Sequence, residues 1–131
     1  MKLRLSLKNI MGQNETNMKL LFIYNAESSL FSQLTDYAHK IISPKTYRCN
    51  LCVLTYGNLG MKNKWKDFIK SLNVGVKFLH KDEFVKKYDF KTTYPIILKE
   101  DKGKLSVLVS TTELNEVKIL EELMDGIKAK L

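Results

Sequence analysis

Leu20-Leu21-Phe22-Ile23-Tyr24 is an apolar run with no polar interruption. Its length suits a strand, and a strand turns alternate side chains to opposite faces. With every position apolar, both faces must be covered. The run therefore predicts a central strand with helices above and below its sheet. The rest of the chain supplies the covers. Asn25-Ala26-Glu27-Ser28-Ser29 reads as a turn ending in hydroxyl caps. Leu30, Phe31, Leu34, Tyr37, Ala38, Ile41 and Ile42 then recur at three and four, which predicts an amphipathic helix closed by Ser43-Pro44. Cys49 to Tyr56 carries β-branched and aromatic residues and is expected to be a second strand. Gly57-Asn58-Leu59-Gly60 reads as a loop. Met61, Trp65, Phe68, Ile69 and Leu72 form another helical stripe, and Val74 to Leu79 another strand. Asp82 is placed to cap a short helix carrying Phe84, Val85 and Tyr88.

The last third changes pattern. Tyr94-Pro95-Ile96-Ile97-Leu98-Lys99 and Leu105-Ser106-Val107-Leu108-Val109 flank Asp101-Lys102-Gly103, a strong hairpin signal. Leu114, Val117, Leu120, Leu123, Met124 and Ile127 then line one face of a final helix. The expected order is β-α-β-α-β-α-β-β-α. The expected class is α/β, with a central mixed sheet of four to five strands flanked by helices on both faces.

At 131 residues the chain is sized for one domain with an ordinary core. Residues 1–18 read as an N-terminal extension, expected to be disordered, with Met18 a candidate native start; residues 19–131 form the domain. No run is long and apolar enough to span a bilayer, and the start lacks the pattern of a secretory signal. A cytoplasmic protein is expected, a setting in which two thiols serve redox chemistry or metal binding more often than a permanent disulfide. The net charge is +8, carried by lysine with Arg4 and Arg48 the only arginines. Specific nucleic-acid recognition favours arginine and a compact basic block; the chain has two arginines and its lysines are spread out. A solvated basic surface and a protein partner fit better; the oligomeric state is not legible.

The ending resembles the thioredoxin-like fold on particular residues: Thr92-Thr93-Tyr94-Pro95 ahead of Ile96-Ile97-Leu98, then the turn at Asp101-Lys102-Gly103-Lys104 and Leu105-Ser106-Val107. The resemblance covers residues 20–131. It implies a cis bond at Tyr94-Pro95, which brings that turn beside a facing strand–helix junction. The chain departs from the family at one point. The family's C-x-x-C opens the helix after the first strand, where this chain has Asn25-Ala26-Glu27-Ser28-Ser29. The only cysteines, Cys49 and Cys52, are spaced C-x-x-C but stand before the next strand, at the far end of such a sheet from Pro95.

Three uses are open to Cys49 and Cys52. As a thiol–disulfide or thiol-sensing pair, Cys49 would attack, with Arg48 stabilising its thiolate and Tyr94 and Pro95 as structural neighbours. If the segment is extended, an x-x gap puts the two side chains on opposite faces, so a disulfide needs a turn at Asn50-Leu51. As metal ligands they would take zinc with His39. As inert thiols they leave a thioredoxin-like binding module without enzyme activity. A strand-end pocket is the other candidate site: Asn25, Glu27, Tyr56, Asn58, His80 and Asp82 fall where open sheets place ligands. No other cofactor is implied, since nucleotide-binding and hydrolase motifs are missing.

Overall fold

A computed structural model describes residues 18–28, 49–57 and 59–131. The extension at 1–17, the helix expected over 30–42, and Arg48, His39 and Asn58 lie outside the described residues. The sheet has four strands: β1 (Met18–Tyr24), β4 (Gly75–His80), β5 (Ile96–Asp101) and β6 (Lys104–Val109). Their spatial order is β4-β1-β5-β6. β4 is parallel to β1; β5 is antiparallel to β1, and β6 to β5. The sheet is mixed, an α/β topology compatible with thioredoxin-like folds.

The run at 20–24 takes the central position that its composition demands. Leu20, Phe22 and Tyr24 enter one buried cluster, and Leu21 and Ile23 the cluster on the opposite face. β5 continues the alternation in register. Ile97 lies opposite Phe22, while Ile96 and Leu98 lie opposite Ile23 and Leu21. The β5–β6 turn has two central residues, Lys102 at φ 54° and Gly103 at φ 82°. Two consecutive positive φ values match the right-handed twist of the flanking strands, and Gly103 adopts its value without a Cβ penalty. A register shift at Ile97/Leu98 lets both Leu108 and Val109 bury. The Tyr94–Pro95 bond is cis.

Four helices cover the first face: α1 (Asn50–Thr55), α2 (Asn63–Ser71), α4 (Thr111–Glu116) and α5 (Leu120–Lys130). α3 (Lys81–Lys87) covers the second through Phe84, which stacks on Tyr88 at 5.0 Å and meets Tyr94 edge-on at 6.2 Å. Val85, on the same helix, is exposed.

Three expectations are corrected. Residues 50–55 are helical, not extended, with Cys49 as the N-cap, and the nearby sheet pairing among the described residues is a small ribbon of β2 (Tyr56–Gly57) with β3 (Gly60–Met61). Cys49 Sγ accepts the Cys52 N–H at 3.3 Å, and Thr55 Oγ1 donates back to the Leu51 carbonyl at 2.7 Å. These local bonds and the burial of Leu51, Cys52 and Leu54 outweigh the strand preference of Val53 and Thr55. The final helix is broken at Val117-Lys118-Ile119, because Asn50 and Glu122 bind backbone groups at the break. Asp82 does not cap α3. The cap residue is His80, whose N–H donates to Glu83 Oε1 at 2.8 Å.

Candidate functional site: the buried cysteine pair

Cys49 is the N-cap of α1 and Cys52 stands three positions on. In a helix that spacing puts both side chains on one face, whereas a strand would separate them. The two sulfurs are bonded at 2.09 Å. The helix at 50–55, capped by Cys49, and the closed pair are thus one structural fact.

The pair is not at the surface. Cys49 is 2% exposed and Cys52 fully buried, in the cluster that contains Leu51, Trp65, Leu114 and Leu120. The N-cap position turns Cys49, the expected attacking thiol, toward the core beside Cys52. Disulfide exchange needs a thiolate to reach a sulfur, and this packing closes that approach to a folded substrate. Pro95 is buried, and its neighbour Tyr94 packs in the cluster on the other face of the sheet. Burial pushes the Tyr94 hydroxyl above its ordinary value.

Asn50, which the sequence offers only as a turn residue, ties the pair to the rest of the molecule through its side chain. Its side-chain amide donates to the carbonyls of Leu114 at 2.5 Å and Val117 at 2.9 Å. Those carbonyls lie at the end of the short helix α4, where carbonyls run short of intrahelical donors; the Leu114 carbonyl also accepts from the Val117 N–H at 3.3 Å. The partners stand 64 and 67 residues away in sequence, so no local signal announces them.

His39, the third ligand of the zinc reading, lies outside the described residues. A disulfide sulfur is not the thiolate that zinc requires. Among the described residues no group of three or more His, Cys, Asp or Glu could hold a metal ion.

The strand-end residues are partly brought together. Ser28 N–H and Oγ donate to Asp82 at 3.0 and 2.7 Å, and Lys81 Nζ donates to Asn25 Oδ1 at 3.2 Å. Tyr24 joins Tyr56 to His80, with ring centroids 5.8 and 6.4 Å away. Glu27 is exposed at the edge. His80 Nδ1 lies 2.7 Å from Glu83. Burial raises the Asp82 carboxyl, but the hydrogen bonds from Ser28 outweigh it and leave the group below its ordinary value. The backbone N–H of His80 is the largest influence lowering Glu83. These bonds are mostly internal to the turn and to the start of α3. They occupy the Asp82 and Glu83 carboxylates.

Among the described residues no helix is long and apolar enough to cross a membrane. No family model, curated protein or solved structure matches the chain.

Proposed function

We propose that this is a thioredoxin-like protein in which Cys49–Cys52 is a thiol-sensing fastener of α1 and not a turnover centre. The observation that carries the reading is the closed pair at the cap of α1, sealed in the core and linked through Asn50 to the end of α4. Strand order supports the fold assignment: β4-β1-β5-β6, with Tyr94-Pro95 directly before β5. The junction after β1 has no cysteine, so the surface that carries exchange chemistry in that family is chemically silent here.

The step is a two-electron reduction. A small dithiol delivers one thiolate to a sulfur of the pair, the S–S bond breaks, and a mixed disulfide forms. The reductant's second thiolate resolves it, leaving Cys49 and Cys52 as thiols and the reductant as a disulfide. Burial requires α1 to open before the attack, so the response is slow and is read out as a loosened α1.

Equilibration in dithiol–disulfide buffers, with alkylation and mass readout, tests the proposal. A midpoint within about −200 to −300 mV is expected, the range in which cellular dithiols can drive it. A midpoint well below that range makes the bond a permanent staple and refutes sensing. Rapid catalytic reduction of an insulin disulfide refutes the claim that this is no turnover centre.

A further inference from the structure

A groove of about 450 Å³ opens where α1, α2 and α5 meet. Its lining is apolar at the centre. Val53 and Leu54 come from α1 and Leu120 from α5, and Ile119 remains 53% exposed beside them. Its rim is charged. Lys62 caps α2 and Lys64 lies in the first turn of α2, while Lys118 and Glu121 flank the start of α5.

The single carboxylate on that rim is already engaged. Glu121 Oε2 accepts from Lys64 Nζ at 2.6 Å. That hydrogen bond is the largest influence holding the Glu121 carboxyl below its ordinary value, and Lys62 also contributes. Glu122, in the same turn, accepts from the Lys118 backbone N–H at 2.8 Å. The first turn of α2 contains no acidic residue. Three lysines against one glutamate leave the groove lining positive.

A positive rim around an aliphatic floor restricts what can dock. A single-stranded nucleic acid would want aromatic platforms for its bases, and the groove lining has none. A second copy of this chain brings a charge of +8 against like charge. An acidic polypeptide segment satisfies both parts, because its carboxylates meet the lysines while an aliphatic side chain covers Ile119 and Leu54. We infer that this groove docks an acidic peptide segment of a partner protein, anchored by a leucine-like side chain between α1 and α5. The inference stands apart from the redox reading.

The test uses the full chain and a fluorescein-labelled peptide of sequence Glu-Asp-Leu-Glu-Leu-Asp-Leu-Glu, read by fluorescence anisotropy. Saturable binding that weakens as salt is raised is expected. Lys62→Glu combined with Lys118→Glu should weaken it by about tenfold, the effect of reversing two rim charges. Ile119→Ser should weaken it while leaving its salt dependence intact. All three positions are exposed, so circular dichroism should report unchanged folding. Equal binding of a Glu-Asp-Ser peptide overturns the proposal, because the aliphatic anchor then does nothing. So does full-strength binding to the double charge-reversal protein, or displacement of the peptide by an oligonucleotide of equal charge. Self-association through the groove, abolished by Ile119→Ser, would assign the surface to a second copy and overturn it as well.

Discussion

Reducing Cys49–Cys52 should lower stability by an amount set by the small ring it opens. The bonded residues are three positions apart, so the loop closed in the unfolded chain contains four residues. The chain-entropy relation gives a loss of about 6 cal/mol/K for such a loop, or about 2 kcal/mol at 25 °C. For a domain of this size the unfolding entropy converts that into a fall in Tm of about 7 °C. That figure concerns the unfolded chain; on the native side the two thiols must move apart within the same apolar cluster, which adds the loosening of α1 to it. Thermal unfolding followed by circular dichroism, with and without a phosphine reductant, measures the shift. Cys49→Ala/Cys52→Ala should reproduce it without reductant. Hydrogen exchange adds a spatial check: amides of α1 and of the 117–119 break should lose protection first, and those of β1 and β5 last. A Tm unaffected by reduction, in protein shown by mass to be reduced, would refute the loop-closure reasoning. Uniform loss of protection across the sheet would refute the picture of α1 as a separately fastened element.

Asn50→Ala removes two donors and leaves the Leu114 and Val117 carbonyls without them, for an expected loss of about 2 kcal/mol in denaturant unfolding; Asn50→Asp should be no better, since a carboxylate cannot donate. Phe84→Ala empties the centre of the second cluster and should cost about 3–5 kcal/mol by the same measurement. Asp82 is lowered in the folded state, so its contribution is present above its unfolded value near pH 4 and is lost as pH falls through the folded value. Stability followed from pH 6 down to pH 2 should therefore fall less steeply in Asp82→Asn than in the unsubstituted protein, and equal slopes would count against the Ser28 contacts.

Much of the sheet can be read directly from the chain. The apolar run at 20–24 requires cover on both faces, and β1 receives it. The Asp101-Lys102-Gly103-Lys104 turn announces its hairpin because only certain residues tolerate two successive positive φ values. The stripe through Leu114, Leu120, Leu123 and Ile127 correctly marks the buried face of the C-terminal helices, although it runs across a break it cannot reveal. The segment from Cys49 to Tyr56 was not legible. Leu51, Cys52, Leu54 and Thr55 are too few and too uniformly buried for a period of two to be told from one of 3.6. The cap of α3 was misplaced because Asp82, a good cap by type, is claimed instead by Ser28 from another element.

The cysteines show where the two sources of information divide. Sequence alone set their number, their spacing and the absence of a third cysteine at the junction after β1. It also set the alternation that makes β1 a two-faced central strand, because that depends only on side-chain polarity and strand geometry. Tertiary structure decided that residues 50–55 are helical with Cys49 as their N-cap, that the sulfurs therefore share a face and bond, and that the pair is sealed in the core on one side of the sheet while Tyr94 packs on the other. The physical reason is distance along the chain. A strand's faces follow from neighbouring residues, whereas the conformation of α1 depends on packing against Leu114 and Leu120 and on carbonyls more than sixty residues away.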